Sequence, residues 1–255
     1  MELTLIKLSL ADGIAVVTMD HPPVNAQNAQ FSSEMAYVFD TLSDRKDVRV
    51  AILTGAGKVF SAGADMKARA GLGAIGERGQ HNRRVRGCFH SIRECAKPVI
   101  GALNGPALGA GLAVAASCDI LVAAEESSLA LPEINVGLLG GAKHAQRLFG
   151  HSTLRRMMLT GYRVPGPELY RLGIVEACVP AAQLMECAMG IAREIASKSP
   201  AAIKLAKRTL NTIEDMSLRD GYRYEQYMTA EVAEHPDAKE AATAFLEKRK
   251  PVFRD

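Results

Sequence analysis

The run from Lys97 to Asp119 constrains this chain more than any other stretch. Lys97-Pro-Val-Ile-Gly-Ala-Leu-Asn-Gly-Pro-Ala-Leu-Gly-Ala-Gly-Leu112 leads directly into Ala113-Val-Ala-Ala-Ser-Cys-Asp119. It reads as a strand at Val99 to Leu103, a glycine-rich turn, and a helix of small and apolar residues on every side. A helix that is apolar all round has to be buried. Burying its first turn leaves backbone N–H groups with no intrahelical acceptor. A developing oxyanion at the positive helix end would satisfy them, each well-placed donor contributing roughly 2.7–4 kcal/mol in a transition state. Close helix packing with no ligand explains the run equally well when it stands alone.

The elements around it set the fold class. Strands are expected from Leu3 to Leu10, Gly13 to Met19, Val48 to Thr54, Ile120 to Ala123 and Ser128 to Leu131. Between the second and third, Ser32 or Ser33 is the candidate cap of a helix burying Met35, Val38, Phe39 and Leu42. Strands alternating with helices predict ββα-type units and a largely parallel sheet. From about Lys143 the pattern turns helical, with one further strand at Ile174 to Cys178. Helices are predicted at Lys143–Phe149, Ser152–Leu159, Pro167–Leu172, Ala182–Lys198, Pro200–Thr212, Leu218–Glu234 and Pro236–Lys248. No linker, low-complexity tract or repeat divides the chain. The expected organisation is an α/β core over residues 1–195 and a helical C-terminal region over 196–255, packed on that core or on a neighbouring subunit.

Composition excludes several function classes. Lys and Arg exceed Asp and Glu only by 31 − 28 = 3, too little to call for nucleic acid or an anionic membrane. Trp is absent and aromatics are 5%, which speaks against base-stacking platforms. Five cysteines, with no C-x-x-C and no zinc-type spacing, read as reduced and mostly buried thiols. No apolar run reaches the roughly 20 residues of a membrane span, and no signal segment opens the chain. A soluble, cytoplasmic protein without a metal is expected.

Two further features carry chemistry. Phe60-Ser-Ala-Gly-Ala-Asp-Met-Lys67 follows a strand, and its small residues let a ligand approach the backbone closely. A tight turn with Asp65 as a helix cap accounts for it without any ligand. Glu133 stands in the apolar stretch Ser128-Leu-Ala-Leu-Pro-Glu-Ile-Asn-Val-Gly137. A carboxyl in apolar surroundings has its pKa raised, which suits proton transfer near neutral pH, although a surface glutamate is the commoner fate of such a residue.

Taken in order, these features resemble the crotonase superfamily, the enoyl-CoA hydratase/isomerase family, over nearly the whole chain. The resemblance rests on His21-Pro-Pro-Val-Asn-Ala26, Phe60–Lys67, Asn104-Gly-Pro-Ala-Leu-Gly-Ala-Gly111, Cys118-Asp-Ile120, Pro132-Glu133 and Ala244-Phe-Leu-Glu-Lys-Arg-Lys-Pro251. It implies a spiral of ββα turns with a helical C-terminal region, assembled as a homo-trimer or hexamer. It implies an acyl-CoA substrate, with coenzyme A as part of that substrate and no separate cofactor. By resemblance, the backbone N–H groups of Ala64 and Ala110 form an oxyanion hole and Glu133 moves the proton. The backbone around Ala62, Asp65 and Met66 would hold the adenine, and Val24 the pantetheine arm. Phe245 and Lys248 of a neighbouring subunit would cover the nucleotide end.

The chain departs from the family pattern at three places. Ala113 stands where hydratases carry a second glutamate, which favours a one-carboxylate proton shuttle over hydration with two. Ala110 replaces the usual glycine, leaving the backbone donor in place. Gly141-Ala-Lys-His-Ala-Gln-Arg147 has Lys143 and His144 where a glycine pair is usual. His144 is a candidate replacement acid, against the plainer expectation of an exposed helix start. Arg83, Arg84 and Arg86 suit either an acidic acyl group or a coenzyme phosphate, or form a solvated helix face. Acyl specificity is expected from Ala68 to Arg93. Isomerisation or hydration leads. Acyl-CoA hydrolysis, decarboxylation and a non-catalytic RNA-binding role are the alternatives.

Overall fold

The computed structural model describes residues 1–71, 73 and 75–253, so that Leu72, Ala74 and the last two residues of the expected C-terminal region lie outside the described residues. Strands β1 (Ile6–Ala11) and β2 (Ile14–Met19) form an antiparallel hairpin at the edge of a six-stranded sheet. The sheet continues in parallel through β4 (Val50–Gly55), β6 (Val99–Leu103), β8 (Ile120–Ala124) and β11 (Ala177–Val179). After each of β2, β4, β6 and β8 the chain adds a short strand in a second layer. These are β3 (Ala26–Gln27), β5 (Gly63–Ala64), β7 (Pro106–Leu108) and β9 (Ser128–Ala130). β3 pairs in parallel with β5, β7 in parallel with β9, and β10 (Arg163–Pro165) antiparallel with β9, while a Ser61–Ala107 bridge joins the two groups. One long strand, one short strand and a helical segment per turn is the expected spiral.

Strand alternation divides the core into two. Val17, Ala51, Leu53, Val99 and Leu103 face the inside of the spiral, where α1 (Ala29–Asp44) adds Phe31, Met35, Val38, Phe39 and Leu42. Val50, Ile52, Ile100, Ala102 and Val122 face the other way. They are covered by Leu184, Ala188 and Ala192 of α8 (Leu184–Ala196). The predicted helix face is therefore the one buried. Its start differs: Asn28 is the cap, its Oδ1 accepting from Phe31 N at 2.8 Å. Ser32 and Ser33 lie inside the first turn and donate back to the carbonyls of Asn28 and Ala29.

Other boundaries also shift. The strand expected from Ile174 is confined to β11, because Ile174 N still bonds Leu169 O in the turn that closes α7 (Gly166–Arg171). The helix expected over Lys143–Phe149 is regular only as α5 (Ala142–Ala145) and then tightens into turns. Two helices in the region between β5 and β6, α2 (Met66–Ala70) and the twenty-residue α3 (Ile75–Glu94), had no periodicity marking their bounds. Helix α4 (Ala110–Ala115) follows β7 and is buried from Gly111 through Ala115, as an all-apolar helix must be.

The C-terminal helices α9 (Pro200–Ile213), α10 (Leu218–Ala233) and α11 (Pro236–Leu246) follow the six-stranded sheet. Lys207 of α9, only 6% exposed, pairs with Asp119 at 2.8 Å and donates to Lys97 O at 3.0 Å. Asp119 in turn accepts from Val99 N at 2.7 Å, so the pair ties α9 to the sheet. Leu210 and Leu218 nevertheless remain 66% and 91% exposed, an inside-out polarity for two helices. Among the described residues no helix is long and apolar enough to cross a membrane.

A buried carboxylate secures the N-terminus. Glu34 on α1 is 1% exposed and accepts from the backbone N–H groups of Thr4, Leu5 and Ile6 at 3.1, 2.8 and 3.0 Å. Burial pushes its carboxyl up, but the Leu5, Gln30 and Thr4 donors together outweigh this and hold it below the ordinary 4.5. A depressed carboxyl pKa stabilises the fold above the unfolded value, and that stability is lost as pH falls through the folded value. Glu34→Gln should cost about 1.5–3 kcal/mol at neutral pH and much less in acid, below the folded pKa of Glu34. Denaturant titrations at the two pH values measure this; an equal loss at both would contradict it.

Candidate active site

Three glycine-dependent contacts bring the sequence motifs to one cleft. Gly109, at φ 55°, precedes α4, and a β-carbon there would stand 2.4 Å from Glu133 Oε1. The carboxyl of Glu133 thus lies directly on the backbone at the helix start, with its Oε2 buried. Gly63, at φ 88°, is pressed on the same segment; a β-carbon there would lie 2.4 Å from Leu108 O and 3.1 Å from Ala110 N. At Gly111 the atom would meet Ser61 O at 2.3 Å. At Gly63 and Gly111 no side chain larger than hydrogen fits without moving the backbone, whereas at Gly109 it is the Glu133 carboxyl that would have to move.

A buried asparagine holds the outer turns in register. Asn25 is 2% exposed, and its Nδ2 lies 3.0 Å from Ala56 O and 2.8 Å from Val59 O. Ala62 N bonds Val24 O at 2.9 Å, which places the His21–Ala26 turn against the Phe60–Lys67 turn. Asp65 caps α2, its Oδ1 accepting from Lys67 N at 2.9 Å and Ala68 N at 3.2 Å. Gln27 donates to Ser61 Oγ at 3.0 Å and turns the end of β3 toward the cleft.

The cleft has a volume of about 590 Å³, within the range of small-molecule sites. Of the expected site residues it gathers Ala62, Ala64, Met66, Ala110 and Glu133, together with Ala113. Val24 adjoins it through its bond to Ala62, and Asp65 through its N–H, which donates to Gln27 O at 3.0 Å. Phe245, 83% exposed, and Lys248 do not line it within this chain.

A further part of the lining comes from within the Ala68–Arg93 segment, where Arg86 is marked by the sequence but His81, Asn82, Val85 and Phe89 are not. His81, Asn82, Val85, Arg86 and Phe89 line the cleft from α3, at spacings that place them on one helical face. The other buried face of α3, with Cys88 and Ile92, enters the core. Arg86 is thus the arginine of the Arg83, Arg84 and Arg86 run that reaches the cleft.

His144 corrects the expectation of an exposed helix start. It is half-buried, lines the cleft, and packs edge-on against Phe89 with ring centroids 4.9 Å apart. Burial lowers its pKa from the ordinary 6.5, and the charges of Arg147, His90 and Arg93 lower it further, both favouring the uncharged ring. Lys143 is exposed and pairs with Asp215 at 3.6 Å. The cysteines are free thiols, and burial pushes Cys88 up to about 12. No three His, Cys, Asp or Glu side chains cluster as a metal site among the described residues.

Comparison with known proteins agrees with this architecture. Residues 9–255 match the family described as enoyl-CoA hydratase/isomerase. A short-chain-enoyl-CoA hydratase of Clostridium acetobutylicum is 35% identical, the match covering 98% of this chain and 97% of that protein. A (7aS)-7a-methyl-1,5-dioxo-2,3,5,6,7,7a-hexahydro-1H-indene-carboxyl-CoA hydrolase of Mycobacterium tuberculosis is also 35% identical, over 92% of this chain and 96% of its own length. The crystal structure of an enoyl-CoA hydratase from Bacillus anthracis superposes with a TM-score of 0.93 at 31% identity, covering 98% of this chain and 99% of that one. The chain belongs to the enoyl-CoA hydratase/isomerase family and has the crotonase fold.

The contact between Gly109 and Glu133 is open to a direct test. Gly109→Ala would drive a methyl group against the Glu133 carboxyl and strain the backbone at φ 55°, so the carboxyl and the helix start that it lies on must shift relative to each other. Thioester turnover should fall by about 10²-fold while the variant stays folded, since a displacement of about 1 Å costs that much. Steady-state kinetics with a parallel melting curve measures both; normal turnover would show that this close contact is dispensable.

Proposed function

We propose that this protein transfers a proton within an enoyl-CoA thioester through an enolate, using Glu133 as its single carboxylate. The observation carrying this reading is the composition of the cleft. Among its lining residues Glu133 is the one carboxylate, and Ala113, also in the lining, holds the place of the family's second glutamate. Hydration with two carboxylates needs a pair to hold and activate water. Shifting a double bond from the 3- to the 2-position needs one base. Glu133 takes the C2 proton, the charge moves onto the thioester oxygen, and Glu133 returns the proton at C4.

In this reading the thioester carbonyl lies between the N–H groups of Ala64 and Ala110. Their backbones are neighbours through the Gly63 contact, which supports the assignment. The adenine rests on the backbone of Ala62, Asp65 and Met66, and the pantetheine passes Val24. Phe245 and Lys248 act on the cleft of a neighbouring subunit, consistent with their distance from the cleft lining here. Hydration is the second reading, with the His144 imidazole in place of the missing carboxylate; its position in the same cleft supports it. Product analysis with 2-enoyl and 3-enoyl thioesters separates the two.

Glu133→Gln keeps shape and hydrogen bonding but removes the base. Turnover should fall by roughly 10²–10⁴-fold with acyl-CoA affinity little changed. Ala113→Glu should raise hydration of crotonyl-CoA relative to isomerisation, provided the buried helix admits the larger side chain. Near-normal turnover by Glu133→Gln would remove Glu133 from its role.

We propose in addition that the region 196–255 mediates assembly into a trimer or hexamer. Leu210, Leu218, Tyr222 and Tyr227 leave an exposed apolar surface on α9 and α10 that a monomer rarely carries. Light scattering at micromolar concentration should give three or six times the chain mass of 27.3 kDa. A stable monomer would contradict both the assembly and the role given to Lys248.

A further inference from the structure

The cleft has one wall for the proposed reaction and another with no task in it. On the reaction wall stand Ala64, Ala110, Ala113 and Glu133, three of them small and apolar. The second wall carries Asn82 and Arg86 on the cleft face of α3, with His144 beyond Phe89. Among the described residues Arg86 makes no ion pair, and none of these three side chains makes a hydrogen bond. Asn82 and Arg86 are exposed and His144 is half-buried. An acyl group bound against these side chains would shut solvent away from the parts it covers. An aliphatic chain would then leave a guanidinium, an amide and an imidazole covered with nothing to bond, which opposes binding.

Among the described residues of the lining the only carboxylate is Glu133, whose Oε1 lies against Gly109. The Arg86 charge is therefore not matched by a carboxylate on its own wall. The groups are suited to an anionic acceptor: a planar guanidinium able to hold a carboxylate through two N–H donors, and neutral side chains able to donate beside it. Phe89 and Val85, on the same helical face, make part of the lining apolar as an acyl chain requires. We propose that the acyl group taken by this cleft ends in a carboxylate held by Arg86, making the substrate the monothioester of a dicarboxylic acid. Arg86 is then a specificity-determining residue. This rests on the acyl-CoA reading of the cleft and is independent of which reaction Glu133 performs.

The test is a binding measurement, so that failure of the proton-transfer reading would not be mistaken for failure of this one. Glutaryl-CoA and pentanoyl-CoA have the same five-carbon acyl length and differ in the terminal carboxylate. Calorimetric titration should show glutaryl-CoA binding about ten- to a hundredfold more tightly than pentanoyl-CoA, the range of a charge-assisted bond. Arg86→Met should bring the ratio of the two dissociation constants close to one, and Arg86→Lys should restore part of it. Equal affinity of the unaltered protein for the two thioesters would overturn the proposal. So would an Arg86→Met variant that weakens both thioesters and free coenzyme A by one common factor, since Arg86 would then be serving a coenzyme phosphate.

Discussion

The site depends on backbone meeting backbone at the start of α4. Gly63, Gly109 and Gly111 each abut another segment so closely that a β-carbon would collide with a carbonyl oxygen or with Glu133. Interiors pack at crystal-like density, so such contacts leave little freedom for sliding. The segments following β4 and β6 are therefore fixed relative to each other, although they come from different turns of the spiral, and the bond from Gly109 N to Ala130 O at 2.9 Å ties β9 to them. Ala64, Ala110 and Glu133 share a cleft because of these contacts. The long strands supply the frame, and the small residues decide how near its turns can come.

Polar groups lock the arrangement from outside. Asn25 binds the carbonyls that lead into the Phe60–Lys67 turn, where a buried amide without partners would be costly. Glu34 collects the backbone donors of the N-terminal segment, and Lys207 fastens α9 beside Val99 through Asp119. Each joins pieces far apart in sequence. Each is also a charged or polar residue that, in isolation, looks like surface.

That explains what could be read from the chain alone. Val99–Leu103 and Ile120–Ala124 are continuous apolar runs bounded by turn formers, and periodicity finds such strands to within a residue. Two- and three-residue strands such as Gly63–Ala64 have no period of their own and exist because a neighbour pairs with them. Helix α3 is rich in charge and interrupted by Gly76, Gly79 and Gly87, so its apolar positions are too few to announce twenty residues. Motif order nonetheless brought Ala62, Ala64, Met66, Ala110 and Glu133 to one place. His144 was misread because Phe89, which shields it, lies on a remote helix.

Helix α3 divides its duties by face. Cys88 and Ile92 bind it into the core, while His81, Asn82, Val85, Arg86 and Phe89 look into the cleft without belonging to any sheet. Replacing a residue on the cleft face therefore disturbs no strand pairing and none of the glycine contacts beneath Glu133. Phe89 is the exception, since it also packs in the core with Leu112 and Ala113. The lining of the cleft can thus be reshaped by a few substitutions on a single helix, while the frame that holds Glu133 is inherited unaltered.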